Sequence, residues 1–159
     1  MHKKRIQTKF IYKVIPNGVP AVDIYTDGSC EPNPGFGGWA AILIFESGDK
    51  IRISGQCANT TNNRMEFMGI KEALLKLDTP HKINLYSDSL YCLNSIAGKF
   101  NGNKNKPLIM EIRELASKHF ITFCHVKGHS GNKYNTIVDQ RANLESKRCR
   151  EESALYGTF

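Results

Sequence analysis

The chain reads as a mixed α/β domain: a five-stranded sheet, three antiparallel strands and then parallel ones, with helices on both faces. Three observations predict it. Residues 21–57 hold apolar, alternating stretches divided by turn residues, residues 62–77 switch to helical spacing, and strands and helices then alternate to the end. At 159 residues the chain fits one domain, and it carries no internal repeat or low-complexity tract.

Residues 21–26 (AVDIYT) form the first strand and run into a turn-rich segment, 27–38, punctuated by Gly28, Pro32, Pro34, Gly35, Gly37 and Gly38. Residues 39–45 and 50–57 are two further strands around Ser47-Gly48-Asp49, so the three pair as a meander. From 62 to 77, Met65, Phe67, Met68, Ile70, Ala73, Leu74 and Leu77 recur at helical spacing until Asp78-Thr79-Pro80 closes the helix. Ile83 and Leu85 alternate in a short strand at 82–87, and residues 89–97 are helical. A helix at 107–118 starts on Pro107, a strand follows at 120–126, and a last helix runs from about 135 to 149.

Composition narrows the function. There are 22 Lys plus Arg against 15 Asp plus Glu, a net charge of +7, and a pI near 9.2, the electrostatic footprint of a nucleic-acid binder. Mean hydropathy is −0.39, and no apolar run approaches the ~20 residues that span a bilayer, so a membrane partner is not expected. Five cysteines, Cys30, Cys57, Cys92, Cys124 and Cys149, are odd in number, lack CxxC spacing and follow no signal-peptide pattern. Reduced thiols and a cytoplasmic location are expected, and a structural zinc site is not.

Acids stand out against this basic background. Asp27, Glu66, Asp88 and Asp139 each fall at the end of an apolar strand or early in a helix, where distant segments can converge on one pocket. The functional crevice of an open α/β sheet lies outside the carboxyl ends of its parallel strands, and Asp27 and Asp88 follow two candidate strands. Each acid also has a local role available. Glu66, three residues after Asn63, can cap its own helix; Asp88 can be an N-cap; Asp139 suits a first-turn position; Asp27 can stabilise a turn. None of these roles accounts for the residues around the acids. A cluster of carboxylates in a cationic protein points instead to divalent metals acting on a polyanion.

Those surroundings are Thr26-Asp27-Gly28-Ser29-Cys30 with Asn33-Pro34-Gly35, then Thr61-Asn62-Asn63-Arg64-Met65-Glu66, then Ser87-Asp88-Ser89, and Val126-Lys127-Gly128-His129-Ser130-Gly131-Asn132 followed by Asp139. In this order and with these gaps they resemble the ribonuclease H type 1 family over residues 21–147. The resemblance implies a ribonuclease H-like fold and an endonuclease that hydrolyses the RNA strand of RNA/DNA hybrids with two Mg²⁺ ions, Mn²⁺ being a possible substitute. It implies that the cut leaves 5′-phosphate and 3′-hydroxyl ends. It also implies that Asp27 bridges both ions, that Asp139 completes the nucleophile's site, and that Glu66 and Asp88 hold the leaving-group ion. Mg²⁺ keeps several waters and prefers hard oxygen ligands, so a few carboxylates suffice. Packed together without metal, they should have coupled and partly raised pKa values.

His129 sits in the glycine-flanked segment 128–131 and matches the family's mobile histidine, which moves protons in and out of the site. His125 is read as structural. Gly28, Ser29, Asn33, Asn62 and Asn63 match positions that touch the two strands across the minor groove, and Thr61 matches a hydroxyl that binds a DNA phosphate. Recognition of the hybrid should rest on shape and the 2′-hydroxyl.

Some positions depart from the family. Leu90 stands where many members have an RNA-contacting glutamine, and the basic, tryptophan-bearing protrusion is reduced to Lys99, Phe100, Lys104 and Lys106 in residues 98–106. Phe100 is a candidate for stacking on DNA sugars, and the phosphate-binding asparagine is replaced by Pro107 or Leu108, with Asn105 nearby. The division expected is a basic arm at 1–20, a catalytic domain at 21–150 and a tail at 151–159. The arm, with Lys3, Lys4, Arg5, Lys9 and Lys13 and no acid, is read as solvated, as an extra edge strand at 9–15, or as a supplementary phosphate contact. A targeting peptide fits less well, since Arg5 is its only arginine and serine is absent. A monomer is expected. The rival readings are a catalytically silent hybrid-binding module, which retention of all four acids opposes, and a resolvase or transposase domain, which would lack the TTNNRME and KGHSGN segments.

Overall fold

The computed structural model describes residues 4–7, 14–99, 104–127 and 131–156. In chain order the elements are β1 (Lys4–Gln7), β2 (Ala21–Cys30), β3 (Gly35–Phe45), β4 (Lys50–Thr60), α1 (Asn62–Leu74), β5 (Lys82–Ser87), α2 (Leu90–Ile96), α3 (Lys106–Ala116), β6 (Phe120–His125) and α4 (Lys133–Tyr156). The five predicted strands form the expected mixed sheet. β2, β3 and β4 are antiparallel, while β5 and β6 join beside β2 in parallel. A sixth strand, β1, pairs antiparallel with β6, giving the order β1-β6-β5-β2-β3-β4.

Strand alternation sorts the core into two layers. Val22, Ile24, Ala41, Leu43, Ile83, Leu85, Ile121 and Phe123 face α1, α2 and α3, with Phe67, Ile70, Leu93 and Ile112 packed onto them. The next residue along each strand faces the other way, so Tyr25, Ala40 and Ile42 meet Val138 and Ala142 of α4. Phe67 is fully buried, which contributes about 1.5–3 kcal/mol on its own.

Several boundaries differ from the sequence reading. The segment read as a long turn is mostly strand, because β2 runs to Cys30 and β3 starts at Gly35, leaving only residues 31–34 as the connection. The glycines there allow helices to approach the sheet closely. An edge strand is present at Lys4–Gln7; of the stretch at 9–15, residues 9–13 lie outside the described residues, and Val14 and Ile15 are exposed coil. α1 ends at Leu74, where Lys76 and Leu77 donate to the carbonyls of Ala73 and Leu74 and tighten the last turn. Pro107 is the second residue of α3, after a left-handed Asn105 (φ 60°) and Lys106. α4 continues through residues 151–156, part of the stretch expected as a tail; Glu151, Glu152, Ala154 and Leu155 are good helix formers.

Candidate active site

Because β2 and β5 are parallel neighbours, their carboxyl ends share one edge of the sheet. Their pairing ends at Tyr25 opposite Tyr86, whose rings stack at 4.3 Å, and two residues beyond each tyrosine stand Asp27 and Asp88. The shared register thus puts the two aspartates side by side. Asp27 lies inside β2, opposite Ala40 of β3, and not beyond the strand end. Glu66 reaches the same point from α1. It does not cap its helix, since Thr61 is the N-cap and its Oγ1 accepts from the Arg64 amide at 3.2 Å. Likewise Ser89, and not Asp88, caps α2 by accepting from the Cys92 amide. Asp139 is the seventh residue of α4, well past the first turn.

Freed from these local roles, the acids converge. One carboxylate oxygen each from Asp27, Glu66 and Asp88 lies within 4.8 Å of the others. Asp139 stands beside this tight group, near enough that its carboxyl raises the pKa values of both Asp27 and Asp88. Glu66 is only 4% exposed, and its Oε2 is buried with no hydrogen-bond partner. A buried carboxylate oxygen without a donor is costly unless a cation or proton meets it. The donor set of clustered hard oxygens therefore fits a divalent ion such as Mg²⁺.

The electrostatics agree. Burial raises the Asp27 pKa from 3.8 to about 7, with the Asp88 charge adding to it and the contact with Glu66 opposing it. Glu66 is pushed well above the usual carboxylate range by burial and then by the Asp27 charge. Asp88 is raised by burial and by Asp139, while His125 pulls it down. His125, read as structural, braces the site directly. Its Nε2 donates to the Asp88 carbonyl at 3.0 Å and ties β6 to the strand end that carries the acid. Strand alternation could not reveal that contact, because it depends on the β5–β6 register.

The residues expected to touch substrate gather at one corner. Asn33 Oδ1 accepts from the Asn62 amide at 3.1 Å, joining the residue 31–34 connection to the start of α1. Thr61, Asn62 and Asn63 therefore open the helix that carries Glu66, and Gly28 packs against the Glu66 backbone. Ser29 lies on the α4 side of β2 and lines a cleft with that helix. Leu90 is 43% exposed. His129 and Phe100 lie outside the described residues, although the strand leading to His129 is anchored where the Val126 amide donates to the Ser87 carbonyl at 2.9 Å. Sequence reading missed the aromatic support under the site: Tyr134 tilts against Tyr25, and the Asn132 side chain, which hydrogen-bonds Tyr25, accepts from the Tyr134 and Asn135 amides to cap α4.

Comparison with known proteins gives a consistent picture. The RNase H family model matches residues 20–147. Ribonuclease H of Thermoanaerobacter sp. (strain X514) is 42% identical over 146 residues, covering 83% of this chain and 94% of that protein. Ribonuclease H of Ehrlichia ruminantium (strain Gardel) is 43% identical over 137 residues, covering 78% and 93%. Among solved structures, RNase H1 of the halophilic archaeon Halobacterium salinarum superposes with a TM-score of 0.68 at 22% identity, over 80% of this chain and 98% of that one. LC11-RNase H1, solved in complex with an RNA/DNA hybrid, gives 0.66 at 20% identity, over 81% and 99%. With its four acids on one sheet edge and a family match spanning nearly its whole length, the chain belongs to the RNase H family.

Proposed function

We propose that the protein is an endoribonuclease that hydrolyses the RNA strand of RNA/DNA hybrids, leaving 5′-phosphate and 3′-hydroxyl ends. The observation that carries this reading is the convergence of Asp27, Glu66 and Asp88 around an oxygen of Glu66 that no protein donor meets. A related RNase H1 bound to such a hybrid supports the choice of substrate.

When bound, two divalent ions, Mg²⁺ or in its place Mn²⁺, would acidify the attacking water and offset charge on the phosphate oxygens and the leaving 3′ oxygen. Asp27 would be shared between them, Asp139 would serve the side of the nucleophile, and Glu66 with Asp88 the side of the leaving group. The chain's own part is alignment. β2, β5, α1 and α4 fix the carboxylates from four directions, so little reorganisation remains at the moment of reaction. His125 holds the backbone of Asp88, and Gly28 lets α1 sit against β2. His129 would carry protons to and from the water and product. Gly28, Ser29, Asn33, Thr61, Asn62 and Asn63 would present backbone and polar groups to the two strands, reading shape and not base sequence.

In this reading residues 21–150 are the catalytic unit, residues 1–20 an accessory basic arm, and the protein works as a monomer in the cytoplasm. Among the described residues no helix is long and apolar enough to cross a membrane. The test is a labelled hybrid beside RNA duplex, DNA duplex and single strands, each with Mg²⁺ or EDTA. Mg²⁺-dependent cleavage of the hybrid alone, lost in Asp27→Asn, is expected. Hybrid binding without cleavage would mean a catalytically silent module, and activity surviving Asp27→Asn would overturn the site.

A further inference from the structure

α4 carries more than Asp139 to the active edge. From that acid, Asn143, Lys147 and Arg150 follow at intervals of four, four and three residues, which keeps all of them on one face of the helix. Lys147 lies about 12 Å along the axis from Asp139 at 1.5 Å per residue. Across from this face stands the end of β2. A cleft of about 230 Å³ opens between them, lined by Ser29 and Glu31 on one side and Asn143, Ser146, Lys147 and Arg150 on the other. Gly38 makes the approach possible: a Cβ there would come within 2.4 Å of the Ala142 carbonyl oxygen. The Ser146 hydroxyl clamps it by donating to the Phe36 carbonyl at 2.7 Å.

The cations of α4 divide into two sets. Arg141 and Arg148 lie within 4 Å of the buried Glu145 carboxylate, at 3.7 and 3.9 Å. Lys147 and Arg150 are exposed and, among the described residues, make no ion pair; the cleft instead gives them Asn143 and Ser29 as neighbours. Two uncommitted cations, an amide and a hydroxyl suit an anion that also offers acceptors. The cleft is smaller than the ~300–1,000 Å³ of most small-molecule pockets, so it suits one sugar-phosphate unit.

We infer that this cleft is a phosphodiester subsite, in which Lys147, Arg150, Asn143 and Ser29 hold the backbone of a nucleic-acid strand as it runs away from the four carboxylates. The inference rests on the hybrid substrate proposed above and adds where that substrate continues. Glu31, at the cleft rim, opposes the anion and weakens the grip.

The experiment measures hybrid binding by fluorescence anisotropy in EDTA over a salt series, and KM and kcat in Mg²⁺, with the full chain. The variant Lys147→Gln/Arg150→Gln should bind at least about fivefold more weakly at low salt, with a log–log salt slope shallower by about 2. KM should rise while kcat stays within twofold. Glu31→Gln should bind more tightly than wild type, and Lys147→Arg/Arg150→Lys should keep wild-type binding. The control Lys76→Gln/Lys118→Gln removes two exposed charges ahead of β5 and β6, at the opposite sheet edge, and should leave the salt slope near wild type. Trimming the RNA or the DNA strand on either side of the cut forms four arms. The arm in which wild type falls to the level of the double variant identifies the strand in the cleft. A double variant matching the control pair, or four arms that all preserve the difference, overturns the subsite while leaving hybrid cleavage by wild type intact. Absence of both cleavage and hybrid binding in wild type would overturn the functional reading itself.

Discussion

Gly28 lies so close to Glu66 that a Cβ built on it would stand 2.3 Å from the Glu66 amide nitrogen. The Met65 carbonyl carbon would be 2.4 Å away, so backbone, and not a flexible side-chain end, blocks the space. This contact sets the distance between the strand carrying Asp27 and the helix carrying Glu66. Gly28→Ala should therefore force α1 off β2, with an overpacking cost of about 1–3 kcal/mol. Misplacing a catalytic group by ~1 Å costs on the order of 100-fold in rate. A urea midpoint and kcat measured together check this: a fall in kcat of about 100-fold or more with only a modest loss of stability is expected. Wild-type kcat in Gly28→Ala would show that the close approach does not govern the site.

Burial of carboxylates without metal makes folding pH-dependent in a direction opposite to the usual one. Asp27 titrates near 3.8 when exposed and about 7 in the folded chain, so between these values the folded state holds the extra proton. Stability from this group is full below about pH 4 and is lost as pH rises to about 7. Glu66 and Asp88, also raised, act with the same sign. His119 acts with the opposite sign. Its pKa is lowered by burial from 6.5 to about 4, and its Nδ1 accepts from the His81 amide, so its contribution is lost as pH falls through that window. The wild-type curve mixes the two, but a difference curve isolates one. In EDTA, Asp27→Asn should melt at a higher temperature than wild type, by a margin that widens from pH 4 to about 7 and then levels. In Mg²⁺ the margin should shrink or reverse, because only wild type keeps the full ligand set. A margin that is flat in EDTA from pH 4 to 7 would contradict the assignment.

Parts of this site were legible in the sequence because they depend on local chemistry. The apolar alternation of residues 82–87 and the helical spacing of 62–77 record which face of each element is buried, and the motifs around Asp27, Glu66 and Asp88 record which residues the site uses. What could not be read depends on register and close packing. Gly28, Gly37 and Gly38 look like turn residues until α1 and α4 are seen resting on them. The link from His125 to Asp88 exists only because β6 pairs with β5 so that His125 lies opposite Ser87. Lys147 and Arg150 belong to no motif in the sequence, and the cleft beside Ser29 is what separates them from Arg141 and Arg148.

The N-terminal strand begins at the active edge. Lys4 pairs with His125, the last residue of β6, so the start of β1 lies at the carboxyl end of the parallel strands. We propose that this pairing lets the basic arm offset the shortened loop at 98–106. Deleting residues 1–20 should weaken hybrid binding and flatten its salt dependence, each lost phosphate contact removing about 0.9 from the log–log slope. An unchanged slope would sink the idea.

Glu145 is a buried charge outside the catalytic group, and its surroundings explain how α4 is held over the sheet. It is 6% exposed; Oε2 accepts from the Ser54 hydroxyl at 2.7 Å and Oε1 from Gln56 Nε2 at 3.3 Å, both on β4. Arg141 Nε donates to the same Ser54 hydroxyl oxygen at 3.0 Å, so one carboxylate organises a network between helix and strand. Its individual ion pairs are long and their arginines nearly half exposed, so each is worth under about 1 kcal/mol. The hydrogen bonds to a charged acceptor matter more, at roughly 1.5–3 kcal/mol. Glu145→Ala should therefore cost about 2–3 kcal/mol in urea unfolding, whereas Arg148→Ala stays within about 0.5 kcal/mol. Because α4 also carries Asp139, Glu145→Ala should lower kcat as well, while Ser54→Ala should cost less than the loss of the carboxylate. Equal costs for Glu145→Ala and Arg148→Ala would mean that the ion pairs, and not the hydrogen bonds to β4, hold the helix.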